Sequence, residues 1–129
     1  MPRDTRTTTY NPVWIDGSRA LKDPIRIRWA RPQRGVAGTG EPLFSAYRSC
    51  EMEIGVLTET EFEWWHDEYM TGGARTLQTS HPDATVTNPN YPGLDYVYSF
   101  SGTYFSNLTW DRQDDRYRNV RATFTHIQV

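Results

Sequence analysis

Apolar and polar residues alternate along most of this chain, and in one place only the period becomes helical. In "PIRIRWA", residues 24–30, Ile25, Ile27 and Trp29 fall on one side and Arg26 and Arg28 on the other, which predicts a half-buried strand. "YRSCEMEIGVL", residues 47–57, sets Cys50, Met52, Ile54 and Val56 against Glu51 and Glu53, a strand with one core face and one wet or paired face. "ARTLQT" gives a further short strand. "LDYVYSFSGTYF" then places Tyr96, Tyr98 and Phe100 together, with Gly102 predicting a bulge or bend inside the run. In the closing "YRNVRATFTHIQV", Val120, Ala122 and Phe124 alternate with Arg121, Thr123 and Thr125. This segment pairs with residues 96–110 as a long hairpin closed at Asp111 to Asp115.

The helical stretch is "LTETEFEWWHDEYMTGG", residues 57–73. Thr58 and Glu61 have capping-box spacing, and Leu57 and Phe62 have that of a hydrophobic staple. Glu59, Glu61 and Glu63 crowd the first turns, where the helix dipole favours negative charge. Phe62, Trp65 and Tyr69 form one apolar stripe, and Gly72-Gly73 ends the helix. Capping and dipole account for the carboxylates, and the stripe accounts for Trp65. Trp64 lies roughly 100° round from Trp65, so it is either a shoulder of the core or a contact for something else.

Residues 1–23 hold only Tyr10, Val13, Trp14 and Ile15 as apolar anchors and read as an extended N-terminal arm. Residues 31–43, rich in glycine and proline, read as a long loop of the kind that has a task or a partner. The expected fold is mainly β: an antiparallel β-sandwich or barrel with one flanking α-helix at about 58–71. Residues 24–129 form its single domain, which 129 residues suffice to build around a proper core.

Composition narrows the function classes. A net charge of −2 argues against bulk binding to nucleic acid or to an anionic membrane surface. Of 14 basic residues only Lys22 is lysine, a balance that suits forked arginine–carboxylate pairing and that genome composition alone can also produce. One cysteine, Cys50, permits no internal disulfide, and its place on an apolar face predicts an inert buried thiol. The opening residues lack the apolar stretch of a secretory signal, and no window approaches a membrane span, so folding in a reducing cytoplasm is the expectation.

Candidate chemistry is sparse. His66, His81 and His126 are far apart in sequence without metal-ligand spacing, so no metal and no cofactor are expected. "DRQDD" lacks the glycine and the alternation of a calcium loop. "GVAGTG" lacks the lysine and the strand-to-helix context of a phosphate loop, and no G-x-S-x-G elbow is present. Glu61, Glu63, Asp67 and Glu68 are explained by capping and solvation, so no catalytic residues are assigned and the chain is not read as an enzyme. With 5 Trp, 8 Tyr and 5 Phe, exposed aromatics beside carboxylates suit sugar or receptor binding, with Trp64, Trp110 and neighbouring tyrosines as a stacking platform.

The arginine-patterned first strand, the loop, the strand running straight into "LTETEFEWWHDEYMTGG", the Tyr/Phe-rich strand and the closing "YRNVRATFTHIQV" together resemble the small tail proteins of long-tailed bacteriophages, over roughly residues 24–129. That group comprises tail tube subunits and minor tail proteins in which a β-sandwich or barrel carries one lateral helix and subunits join edge to edge. The resemblance implies a virion structural protein, assembled in the host cytoplasm, that closes into hexameric rings stacked as a conduit for DNA. Its partners would be itself, neighbouring tail proteins and DNA that passes without specific binding. On this reading inter-subunit contacts fall to Tyr10 and Trp14 of the arm, Arg31 and Arg34 of the loop, Trp64, and the oppositely charged sets Arg26, Arg28 and Glu51, Glu53, which can also pair across strands within one subunit.

Overall fold

The computed structural model describes residues 12–31, 33–44, 47–80 and 97–128. In chain order the elements are β1 (Trp14–Ile15), β2 (Ser18–Arg19), β3 (Arg26–Ala30), β4 (Gln33–Val36), β5 (Pro42–Phe44), β6 (Tyr47–Leu57), α1 (Glu59–Thr71), β7 (Ala74–Ser80), β8 (Val97–Gln113) and β9 (Arg116–Gln128). Seven strands form one antiparallel sheet in the order β2-β1-β7-β8-β9-β6-β3, and β4 pairs with β5 separately. The fold is mainly β with one flanking helix, as the alternation predicts. Among the described residues the sheet has an edge strand at each end and does not close on itself.

Its spine is the β8–β9 hairpin, turned at Asp114-Asp115 with Gln113 opposite Arg116. Asp114 has φ +56°, a left-handed conformation that aspartate tolerates better than most residues. Tyr98 is half-buried against the core and Phe100 is buried on β8, whereas Tyr96 lies outside the described residues. The core face of β9 presents Tyr117, Val120, Ala122, Phe124 and Ile127, and that of β6 presents Cys50, Met52, Ile54 and Leu57.

Simple alternation does not produce these sets. At Gly55 (φ +92°) the β6–β9 register shifts, so Val56 turns outward at 51% exposure and Leu57 takes the core position expected of it. The expected core assignment of Val56 is thus corrected by a bulge, which inserts one residue and exchanges the faces beyond it. On β8 the predicted irregularity at Gly102 is present: Arg75 faces Thr103 and Leu77 faces Phe100, leaving one extra residue between them. Asn119 and His126, both at positive φ, lie at further irregularities of β9.

The helix begins and ends as its sequence predicts. Thr58 is the N-cap: its backbone N–H donates to Glu61 Oε1 at 2.9 Å, and the Glu61 N–H donates back to Thr58 Oγ1 at 3.4 Å. Phe62 and Trp65 are buried, and Tyr69 packs beside them. The Phe62 ring lies parallel to Tyr117 with centroids 3.9 Å apart, while Trp65 and Tyr69 both contact Phe105.

Residues 12–23 depart from the expected extended arm. Val13 and Ile15 are buried, and β1 and β2 form a hairpin laid along β7 through Trp14 opposite Gln78 and Ile15 opposite Leu77. The turn is Asp16-Gly17, with φ +50° and +84°; Asp-Gly is a strong signal for such a two-residue hairpin, and here it overrides the polar texture around it. Residues 1–11 lie outside the described residues. The span read as a long loop holds the β4–β5 ribbon, turned by Ala37 N–H to Glu41 O (2.7 Å) and Gly40 N–H to Ala37 O (2.8 Å).

Chain length constrains the sheet's shape. Six strand spacings separate β2 from β3, about 29 Å in a flat sheet at ~4.8 Å each. The seven steps from Arg19 to Arg26 span at most about 25 Å even when fully extended. The sheet is therefore rolled, drawing its edges toward each other. In agreement, Trp29 on β3 reaches Phe100, three strands away on β8, with ring centroids 5.8 Å apart. The connecting segment crosses beside the helix, where Trp65 Nε1–H donates to Lys22 O at 3.1 Å.

A Cβ added at Gly55 would meet only Ile25 Cδ1, at an ordinary 3.8 Å, so Gly55→Ala tests the backbone conformation without a clash. The expected result in chemical denaturation is a loss of about 1–3 kcal/mol, the cost of holding an L residue at this φ. An unchanged midpoint would show that the bulge relaxes freely.

Candidate functional site

The charged ladder on the face of the sheet opposite the core brings together four of the nine expected contact residues. Arg26 stands opposite Glu53, and Arg28 opposite Glu51, across β3 and β6. Across β6 and β9, Glu53 faces Arg121 and Glu51 faces Thr123. Two rows thus cross four strands: Arg26, Glu53, Arg121, Thr109, and Arg28, Glu51, Thr123, Asn107. Arg26 Nε lies 3.8 Å from Glu53 Oε2, and Arg121 Nη1 lies 3.5 Å from Glu51 Oε1. Pairing across strands within the chain, one of the two options for these charges, is realised between Arg26 and Glu53, while Glu51 pairs with Arg121 on its other side. Such exposed pairs contribute little to stability and serve mainly to set register and to keep this face wet.

The other expected contact residues are dispersed. Trp14 is half-buried with the Arg19 guanidinium 4.8 Å over its ring, and Arg19 is itself ion-paired to Asp23. Arg31 is exposed just after β3, Arg34 belongs to β4, and Tyr10 lies outside the described residues. Trp64 is half-buried at the shoulder of the core, edge-on to Trp65 at 5.0 Å, and its indole N–H donates to Ser18 Oγ at 3.0 Å.

Trp110 belongs to a different surface. It is 38% exposed and packs edge-on against Phe62 (4.9 Å) and His66 (5.8 Å). Positions 64 and 66 are roughly 160° apart around a helix, so Trp64 and Trp110 lie against opposite flanks of α1. Among the described residues no ring contact joins the two, and the single platform built on both is not formed. Next to Trp110, Arg112 donates to Tyr117 Oη at 2.7 Å with its guanidinium over the Tyr117 ring. Tyr47, Tyr104 and His126 make a second exposed aromatic group.

Sequence reading missed the most buried charge. Arg75 is only 7% exposed and forms ion pairs with Asp16 (Nε to Oδ2, 2.6 Å) and with Glu68; its Nη1 also donates to Glu68 O at 2.7 Å. Asp16 Oδ1 accepts the Thr76 N–H at 2.8 Å, and the Asp16 N–H donates to Thr76 O at 2.9 Å. One guanidinium thereby joins β7, the last turns of α1 and the β1–β2 turn. The signal was present in the strand itself, where Arg75 is in phase with Leu77 and Thr79, the buried positions of β7.

The reactive groups are separated. Burial pushes the Cys50 thiol up to about 12, which leaves it protonated and inert at neutral pH. His66 sits between Phe62 and Trp110, His126 sits between Tyr47 and Tyr104, and His81 lies outside the described residues. Among the described residues no group of three or more His, Cys, Asp or Glu side chains is placed to hold a metal ion, and no helix is long and apolar enough to cross a membrane.

Replacing Arg75 with Met leaves the Glu68 carboxylate partly buried and unpaired. The expected loss is about 3 kcal/mol in denaturant unfolding, the lower end for a broken buried pair because Asp16 keeps contact with solvent. Acid acts on the same junction. The Thr76 N–H, and then Arg75, hold Asp16 below the usual carboxylate range, so folding lowers its pKa. Its contribution is complete above the unfolded value near pH 4 and is lost as pH falls through the lowered folded value. Asp16→Asn should therefore flatten the fall in melting temperature between about pH 4 and pH 2, and an unchanged slope would assign the acid sensitivity elsewhere.

No known protein family, no curated protein and no solved structure matches this chain.

Proposed function

We propose that this chain is a structural subunit of a bacteriophage tail, one that assembles with copies of itself into stacked rings forming a tube for DNA. The reading rests on the resemblance in element order. One structural observation supports it best: an open, rolled antiparallel sheet that buries one face under a single helix, keeps the other wet with a regular charge ladder, and ends in an edge strand on each side among the described residues. A wall needs such a division, with a core on one side and a solvated surface on the other. Edge strands are templates for pairing with another chain, and a subunit built to assemble uses them. Catalysis, a cofactor and a membrane role have no part in this reading. The partners are further copies, neighbouring tail proteins and passing DNA, and the location is the virion tail.

A second reading is favoured by Trp110. Its half-exposed indole, backed by Phe62 and His66 with Glu59 and Glu63 exposed on the same helix, suits stacking on a sugar ring or docking to a receptor.

Negative-stain electron microscopy of the purified protein, taken across a concentration series, separates the two. Hollow rings or tubes of uniform diameter are expected. Dispersed particles at all concentrations, together with glycan binding that Trp110→Ala abolishes, would replace the first reading with the second.

A further inference from the structure

The longest free edge in the described structure is the outer half of β8. The last β7 residue paired to β8 toward the hairpin tip is Ala74, opposite Tyr104, so from Phe105 to Gln113 β8 is held only by β9. Nine residues at ~3.3 Å each leave about 30 Å of strand without a partner on its outer side among the described residues. Naturally occurring edges of this length are generally blocked or used.

Its solvated face carries Asn107, Thr109, Asp111 and Gln113: one negative charge and no positive one on the strand itself, with Arg118 and Asn119 of β9 against Asp111 on its inner side. The opposite edge of the sheet is β3, whose solvated face carries Arg26 and Arg28: two positive charges and no negative one. Two copies joined β3 to β3 would set arginine against arginine, and two joined by their outer β8 segments would bring the two Asp111 side chains to one seam. Like charges placed across strands are destabilising, so only the mixed junction is complementary. Strand direction agrees. β3 runs opposite to β6, and β6 runs the same way as β8 through β9, so β3 of one copy meets β8 of the next antiparallel when both stand upright in a ring. The level agrees as well: through the two charged rows, Arg26 and Arg28 stand level with Thr109 and Asn107, inside the free segment. The core faces would meet too, bringing half-buried Ile27 and Trp29 toward exposed Trp110.

We infer that the outer half of β8, Phe105 to Gln113, receives β3 of a second copy of this chain as an added antiparallel strand, with Arg26 and Arg28 against the Asn107–Thr109–Asp111 face. The junction is heterologous, head to tail, and generates a ring when its rotation closes. The inference rests on the ring-forming reading and assigns its contact.

Cysteine cross-linking tests it. Arg28→Cys is combined in turn with Asn107→Cys, Thr109→Cys and Asp111→Cys, covering the level register and slips of two and four residues. Within one chain β6 and β9 lie between the two strands and the new thiols stand on the outer face of the rolled sheet, and Cys50 is buried. The expected result on mild oxidation is a ladder of covalent oligomers from at least one double variant and none from the single variants. Dimers from single variants would reveal a two-fold junction and overturn the inference. Rings seen by microscopy with no ladder would overturn the assigned edges while leaving the ring reading standing. Monomers throughout, with no ladder, would overturn both. Melting temperatures matched to the parent exclude misfolding, and a charge swap gives a second route. Asp111→Arg should raise the assembly midpoint concentration about tenfold, and Arg26→Asp, at the arginine nearest Asp111 in the level register, should restore it in the same chain; no change in either would also count against the junction.

Discussion

Arg75 is the joint on which the arrangement of this molecule turns. A guanidinium is stable in so little solvent only when carboxylates and carbonyls accept its hydrogen bonds, and here Asp16, Glu68 and the Glu68 carbonyl do so. Those acceptors come from the first hairpin and from the end of the helix, segments that are otherwise joined to the sheet by few residues. The helix has no basic residue in its last turn, so the nearby cation that complements its C-terminal end comes from the following strand. Because Asp16 also closes onto the Thr76 backbone, the same cluster holds the β1–β2 turn in register.

That anchoring has consequences at the far edge. With β2 fixed beside β7, the seven steps to Arg26 are too short to cross a flat sheet, so the sheet rolls and β3 swings toward β8. The rolled interior accommodates Trp29 against Phe100 and Trp65 beneath the crossing segment. Bulges at Gly55, Gly102, Asn119 and His126 supply the local twist and repeatedly reset which side chains face inward. Long strands of 11, 17 and 13 residues can follow a curved core this way, with Thr103 of β8 the polar side chain they bury among the described residues.

The outer surface has a different logic. Its ladder of arginines, carboxylates, threonines and asparagine makes a continuous polar sheet face, with arginines at its β3 end and Thr109 and Asn107, next to Asp111, at its β8 end. Among the described residues the exposed aromatic side chains are divided between the helix flank at Trp110 and the Tyr47–His126–Tyr104 group. A protein whose polar face is ordered and whose edges differ in sign is suited to meeting copies of itself in a directed way.

Much of the fold was written in local pattern. The capping box at Thr58 and Glu61, the stripe of Phe62, Trp65 and Tyr69, a hairpin closed within Asp111 to Asp115, though β8 runs on to Gln113 and the turn narrows to Asp114-Asp115, and the opposition of Arg26 and Arg28 to Glu51 and Glu53 all follow from near neighbours and strand period, and all are present. The Asp16-Gly17 turn and the buried phase of Arg75 were equally legible but were outweighed by the polar texture around them. Other features could not be read locally. Val56 and Leu57 exchange faces because Gly55 adopts a positive φ, and nothing in the alternation marks which glycine will bulge. Trp64 and Trp110 look like one platform in sequence, yet the helix separates them. By itself, then, the sequence determined the helix, the long strands, most of their faces and the opposed charges of β3 and β6, because these depend on periodicity and neighbours. Tertiary structure alone decided the roll of the sheet, the triple junction at Arg75 and the free outer half of β8, because each depends on the distance between segments far apart in the chain.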